Sequence, residues 1–119
     1  MEMSKSLKDE INRLHAQVCS GLADPNRILI LYKLAEEPHN VSDLASTLEI
    51  PQPTISRHLK VLRERGMVTA VRDGQSVFYS LADRRIIKAL DPLRAILADT
   101  LEEQVELART ATETFGPST

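Results

Sequence analysis

Residues 51–66 carry the side chains whose types and spacing point most directly to a chemistry, which is contact with DNA. Ile55, Leu59 and Leu62 recur at intervals of four and three residues, so they lie on one side of a helix. The polar side chains fall elsewhere around that helix. On that side of the helix, an arginine can donate two hydrogen bonds to a guanine edge, a hydroxyl can bond a base or a phosphate, and a lysine can neutralise a phosphate. The segment is therefore predicted to be a recognition helix for the major groove.

In isolation, the same pattern is also typical of an ordinary amphipathic surface helix with solvated charges. The preceding sequence favours the DNA-binding interpretation. Val41–Leu48 predicts a compact helix that begins with Asn40 or Ser42 as its cap. Residues 49–51 then predict a tight turn. A short helix, a brief turn and a basic helix form a helix-turn-helix, predicted here at about 41–65.

The following sequence predicts a two-stranded hairpin over about 67–81. Gly66 is expected to end the recognition helix in a left-handed conformation. Strand-like residues then flank 73–76, in which Asp-Gly is a strong hairpin signal. A hairpin directly after a recognition helix is a wing, and its tip, between Arg72 and Gln75, is expected to reach phosphates or the adjacent minor groove. A purely structural flap over the core is the alternative.

The predicted DNA-binding residues are short polar or cationic side chains on these elements. Those early in the recognition helix, Gln52, Thr54, Ser56 and Arg57, are expected at base edges or nearby backbone. The later cations are expected to neutralise phosphate, and Ser42 to hold the supporting helix against the DNA backbone. The full set is Ser42, Gln52, Thr54, Ser56, Arg57, Lys60, Arg63, Arg72 and Gln75.

Residues 22–81 resemble the winged-helix core of the ArsR/SmtB family of bacterial repressors. The matching stretches, in family order and spacing, are Leu22–Leu31, Val41–Ala45, Gln52–Arg63 and Arg72–Tyr79. The resemblance implies a mostly α fold with a small β-hairpin, a winged helix-turn-helix whose N- and C-terminal helices form a homodimer interface. It also implies a repressor.

Apolar stripes at both ends of the chain agree with a dimer. The first is Leu7, Ile11, Leu14, Val18 and Leu22, and the second is Leu90, Leu93, Leu97, Leu101, Val105 and Ala108. The helices that carry them, about 5–21 and 83–112, could pack on their own core, but 119 residues offer little else to cover both stripes. A twofold dimer would place two recognition helices in successive major grooves of an inverted repeat. Asp91-Pro92 predicts either one kinked helix or two.

A scaffold helix is predicted from Pro25 to about Glu36, with Asp24 as its cap. Within it, Arg27 could touch a phosphate or anchor the fold, and the structural role is favoured. His58, in the recognition helix, could equally pack or contact a phosphate.

The length of 119 residues predicts one domain, 1–119, with a modest core. The net charge is −2, but residues 52–72 carry five cations against Glu64 alone, which gives this segment +4 and the remainder −6. A basic surface on an acidic body would steer DNA to one side, with an affinity that falls with salt. With no signal peptide and no long apolar run, the protein is expected to be cytoplasmic and to have no membrane partner.

Sensing groups are harder to predict. Metal-sensing members of the resembled family carry Cys-Val-Cys where this chain has residues 40–42, Asn-Val-Ser, and others bind zinc through histidines where it has 83–85, Asp-Arg-Arg. No metal site and no cofactor are therefore expected. The remaining candidate for an effector or redox site is His15 with Cys19, four residues apart. A buried, inert cysteine beside a solvated histidine is the alternative.

No local motif predicts catalysis, since neither a Gly-rich phosphate loop nor a hydrolase or metalloprotease signature is present. The predicted function is that of a non-enzymatic, dimeric transcriptional regulator. It would repress an inverted-repeat operator in double-stranded DNA and be released by a small-molecule, metal or redox effector. The alternative is a winged-helix protein-interaction module without operator specificity.

Overall fold

The computed structural model of the protein describes residues 5–115, and the side-chain surroundings of residues 5–112. Within that range, four α-helices precede a two-stranded antiparallel sheet and one follows it. The elements are α1 (Lys5–Leu14), α2 (Pro25–Glu36), α3 (Val41–Leu48), α4 (Gln52–Glu64), β1 (Val68–Asp73), β2 (Ser76–Leu81) and α5 (Arg85–Phe115). The chain forms two compact units, Met1–Arg84 and Arg85–Thr119. The prediction of a mostly α fold with a small β-hairpin is confirmed.

The first helix changes its hydrogen bonding towards its C-terminal end. After α1, His15–Cys19 form a π-helical turn, in which Ser20 N donates to His15 O at 3.0 Å. A regular helix over about 5–21 was expected from the apolar spacing. That spacing does not distinguish π from α geometry here, because the π-helical segment is a single turn long.

The core of the first unit consists of apolar side chains from α2, α3, α4 and the segment that follows α4. Each helix buries one side, with its apolar residues three or four positions apart. The buried side chains are Ile30, Leu31, Leu34, Leu44, Ile55, Leu59, Leu62, Met67 and Val68. Full burial of one such side chain stabilises a fold by about 1.5–3 kcal/mol. The apolar stripe of α4 therefore determines which side of that helix faces the solvent.

Polar caps fix where α2 and α3 begin. Asp24 Oδ1 accepts from Asn26 N at 2.8 Å, and Pro25 occupies the first turn of α2, which confirms the predicted cap. At the start of α3, Asn40 Oδ1 accepts from Asp43 N at 2.8 Å. Asn40, rather than Ser42, is thus the cap of α3, and the Ser42 hydroxyl is left for other contacts.

The turns on either side of α4 are also set by local chemistry. Glu49 ends α3 in the left-handed region, with a φ of 56°. Gly66, with a φ of 74°, follows α4 as predicted. Gly66 N donates to Arg63 O at 3.0 Å and Met67 N donates to Leu62 O at 2.9 Å, which is the pair of hydrogen bonds of a Schellman motif. This motif directs the chain out of α4 and into β1.

The hairpin pairs Val68 with Leu81 at its base and Asp73 with Ser76 at its tip. Gly74, in the turn between them, has a φ of 65°, as the Asp-Gly signal predicts. An isolated bridge joins β2 to the α2–α3 connection: His39 N donates to Tyr79 O at 3.1 Å and Tyr79 N donates to His39 O at 2.8 Å. The hairpin is therefore attached to the chain just before α3.

The second unit contains α5, which is one continuous helix with Pro92 inside it. Of the two arrangements that Asp91-Pro92 allowed, the single helix is the one observed. Several large apolar side chains of α5 are exposed: Leu93, Ile96, Leu97, Leu101, Val105 and Leu107. None of the described helices, α5 included, combines the length and the apolar character needed to cross a membrane.

Two adjacent residues of α4 test how this helix is oriented. Leu59 is 1% exposed whereas Lys60 is exposed. Leu59→Ala is expected to lower the free energy of unfolding by about 2–5 kcal/mol because it leaves a cavity in the core. Lys60→Ala, the matched control, should change it by less than about 0.5 kcal/mol. Urea denaturation measures both, and equal effects would contradict the orientation of α4.

Candidate nucleic-acid interface

The solvent side of α4 carries the residues predicted to bind DNA. While Ile55, Leu59 and Leu62 are buried, the opposite side exposes polar and cationic groups. The predicted α4 residues on that side are Gln52, Ser56, Arg57, Lys60 and Arg63, which are exposed, and Thr54, which is half-buried. An exposed helix face with an amide, hydroxyls and three cations can bond base edges and neutralise phosphates.

Two side-chain hydrogen bonds organise the N-terminal half of this face. Gln52 Nε2 donates to Ser42 Oγ at 3.3 Å, which joins the starts of α3 and α4. Arg57 Nη2 donates to Thr54 Oγ1 at 3.3 Å, one turn apart on α4. Both bonds are exposed, so their net stabilisation is small and their donors can exchange to an incoming acceptor. The structure thus brings four of the predicted residues together in two pairs.

The wing lies beside the start of α3. Arg72 is exposed on β1, opposite Val77, and Gln75 is exposed in the turn. A shallow groove of about 330 Å³ separates the wing from α3, and Ser42 and Gln75 both line it. The remaining lining residues are Asn40, Val41, Ser76, Val77 and Tyr79. Residues predicted from two distant segments therefore meet at one groove next to the N-terminus of α4.

Arg27 anchors the fold, as the sequence favoured. Its Nε donates to Gly21 O at 2.7 Å and its Nη2 donates to Ser20 O at 3.1 Å. Its Nη1 lies 3.4 Å from His58 Nδ1, and His58 Nε2 lies 3.8 Å from Asp24 Oδ1. The His58 side chain is only 13% exposed. Of the two roles open for His58, packing is therefore the one observed.

Arg65 is the functional candidate that sequence reasoning missed. From the sequence, Arg65 was only one of the five cations of residues 52–72. In the structure, its Nη1 donates to the carbonyls of Ala16 and Gln17, the latter at 3.5 Å. A signal was present in the spacing. Arg65 follows His58 by seven residues, or two helical turns, so the two lie on the same side of the helix.

The candidate sensing residues lie at the two ends of the π-helical turn. His15 and Cys19 are both exposed, so the alternative of a buried cysteine is wrong for this chain. Within residues 5–115, no group of three or more His, Cys, Asp or Glu side chains is arranged to hold a metal ion. His15 and Cys19 would need further ligands from elsewhere to bind one.

A short helix, a tight turn, a basic helix and an antiparallel hairpin define this chain as a winged helix-turn-helix protein. Residues 24–70 match the family model for bacterial regulatory proteins of the arsR family. The chain is 40% identical over 77 residues to the HTH-type transcriptional repressor SmtB of Mycobacterium tuberculosis, covering 65% of this chain and 57% of that protein. It therefore spans less than two thirds of the length of that relative.

Solved structures agree with this match. The crystal structure of Rv0081 from Mycobacterium tuberculosis has a TM-score of 0.71 and 36% identity, and the match covers 80% of this chain and 96% of that one. The homodimeric winged helix-turn-helix DNA-binding domain of Mb0332 from Mycobacterium bovis, studied by NMR, has a TM-score of 0.72 and 25% identity, covering 87% and 95%. This chain belongs to the arsR family.

The metal site that the family can carry at the start of α3 does not fit the residues here. Asn40 Oδ1 is engaged as the cap of α3, and Ser42 Oγ accepts from Gln52. An amide and a hydroxyl in these roles offer neither the thiolate nor the imidazole that zinc prefers. The start of α3 is therefore suited to hydrogen bonding rather than to metal binding.

Proposed function

We propose that this protein is a dimeric transcriptional repressor that binds an inverted-repeat operator in double-stranded DNA. The observation that carries the proposal is the division of α4 into a buried apolar side and an exposed basic side beside the wing. Such a helix enters the major groove while the wing reaches the flanking backbone. Membership of the arsR family supports the same function. The activity is non-catalytic and belongs in the cytoplasm, where the operator would be.

In this proposal, the position of each residue determines which part of the DNA it contacts. Arg57 and its hydrogen-bonded partner Thr54 face base edges, together with Gln52 and Ser56. Ser42 binds backbone at the start of α3, while Gln75 approaches DNA from the wing. The residues assigned to phosphate are Lys60, Arg63 and Arg72. The remainder of the chain carries a net charge of −6, which repels DNA from the other surfaces.

The proposed dimer uses the apolar side chains that a single chain leaves exposed. On α1 these are Leu7, Ile11 and Leu14, and α5 exposes the six already named. Large exposed apolar patches in proteins mark interaction sites. The homodimeric relative from Mycobacterium bovis supports a second copy of this chain as the partner. Twofold symmetry would then match an inverted repeat.

The test of function is selection of genomic DNA fragments by the purified protein at near-physiological salt. We expect enrichment of one or a few inverted repeats. Arg57→Ala should weaken binding to the preferred site by roughly 1–3 kcal/mol and relax its sequence preference, because a base contact is lost. Arg13→Ala, which removes an exposed cation from α1, is the control for charge alone.

If no sequence is enriched, and the protein instead retains a protein partner in a salt-independent manner, the interaction-module alternative replaces the repressor. If Arg57→Ala weakens binding to every sequence equally, then Arg57 contacts phosphate rather than bases.

Lys60→Ala should lower affinity evenly across sequences and reduce the slope of log K against log salt concentration by about 1, because one phosphate contact is lost. The measurement is a titration of the selected operator at several salt concentrations. Lys8→Ala, on α1, should leave the slope at its wild-type value. An unchanged slope for Lys60→Ala would remove Lys60 from the phosphate contacts.

We also propose that the repressor is released by an effector or redox signal, with no resident metal or cofactor. His15 and Cys19 are the residues assigned to this response, because both are exposed in the turn that adjoins the anchors of α4.

Treatment with a thiol oxidant is expected to release the operator from the wild-type protein but not from Cys19→Ser, because the exposed thiol is the group that reacts. Gel-shift titrations before and after oxidation, with re-reduction as the control, measure this. Equal release of both proteins would assign the response to another group.

A further inference from the structure

Residues 5–21, which comprise α1, the π-helical turn and the two residues after it, are called the first helical segment here, and four carbonyls at its end accept hydrogen bonds from two arginines. Carbonyls at a helix C-terminus lack partners within the helix and carry the negative end of its dipole, so guanidinium groups suit them. Arg65 binds the carbonyls of Ala16 and Gln17, while Arg27 binds those of Ser20 and Gly21. Hydrogen bonds to a charged donor are stronger than those to a neutral one.

The backbone approaches closely at the same place. Gly21 is buried, and a Cβ added to it would lie 2.8 Å from Met67 Sδ and 3.0 Å from Arg65 Cδ. A side chain at position 21 would therefore displace the side chains of Met67 and Arg65, and it would also lie 3.3 Å from Val18 O. The end of the first helical segment rests directly on the end of α4.

The same segment also holds α4 near its middle. Arg27, which binds Ser20 O and Gly21 O, lies 3.4 Å from His58 Nδ1. His58 and Arg65 are two turns apart on one side of α4. A single contact fixes only a point on a helix, whereas two contacts on one side fix its direction as well. The first helical segment therefore contacts one side of α4 through two anchors, one near the middle of the helix and one at its C-terminal end.

We infer that Arg65, together with Arg27, is a positioning residue that sets the spacing between the two half-sites that the dimer accepts. The inference rests on the proposed function, in which α1 lies at the dimer interface. The anchors then connect the dimer axis with the recognition helix in each subunit. In the dimer, the two recognition helices bind two half-sites of the operator at the same time. The angle between α1 and α4 determines the distance between these helices, and therefore the half-site spacing that the dimer accepts. Arg65 itself does not touch DNA.

The test compares Arg65→Gln with Arg63→Gln, which removes a neighbouring cation from the exposed face. The probes are the selected operator, the same operator with one base pair inserted or deleted between half-sites, and DNA with a single half-site. The wild-type protein should prefer the native spacing on the order of tenfold over the altered ones. Circular dichroism and the melting temperature monitor folding.

Arg65→Gln is expected to reduce the spacing preference to about twofold or less, while its salt slope and its affinity for the single half-site stay close to those of the wild type. Arg63→Gln should do the reverse, with a flatter salt slope, lower affinity for every probe and an unchanged spacing preference. Loss of structure alone would lower the affinity for the single half-site, which separates misfolding from altered positioning.

Retention of the wild-type spacing preference by folded Arg65→Gln would overturn the inference. So would a flattened salt slope like that of Arg63→Gln, because Arg65 would then contact phosphate. If Arg65→Gln does not fold, Arg65→Lys takes its place, since it keeps the charge and the aliphatic stem but loses the guanidinium geometry. An absence of operator selection by the wild-type protein would instead refute the proposed function.

Discussion

Burial of one stripe of α4 is the constraint on which the rest of this structure depends. Ile55, Leu59 and Leu62 must enter the core, and their burial leaves only one side of the helix for contact with a partner. The cations of that side are therefore held outward by packing and not by their own interactions. The hydrophobic core and the proposed reading surface are two sides of the same helix, so the stability of the fold and the orientation of the reading side chains have a common origin.

The sequence predicted those features that arise from local chemistry. The apolar spacing of α4, the glycine after its end and the Asp-Gly turn of the wing each depend on a few neighbouring residues, and each is present in the structure. Features that depend on distant contacts were not predictable in this way. Arg65 and Ala16 are 49 residues apart in the chain, and Arg27 and His58 are 31 apart. Nothing in the local pattern distinguishes an anchoring arginine from a phosphate-binding one, except its angular position on the helix.

A positive charge is thus, by itself, a poor guide to which side chains of this protein are free to contact a partner. Arg27 and Arg65 satisfy backbone carbonyls, whereas Arg57, Lys60, Arg63 and Arg72 face solvent. Substitution of an arginine has a different effect on hydrogen bonding in the two groups. Removal of Arg27 takes a donor from the part-buried carbonyls of Ser20 and Gly21, whereas removal of an exposed arginine leaves only solvated surface. Of the five cations in residues 52–72, four are exposed, and the fifth, Arg65, binds backbone carbonyls.

The bridge between His39 and Tyr79 has a consequence for motion in the wing. Its two backbone hydrogen bonds attach β2 to the chain immediately before α3, so the middle of that strand has partners on both edges. The tip around Gly74 has only the opposing strand. Amide protons at Tyr79 should consequently exchange with solvent far more slowly than those at the tip, and bending of the wing should be confined to the part beyond Tyr79. In the proposed complex, the tip would adapt to the width of a DNA groove without loosening the helix-turn-helix behind it.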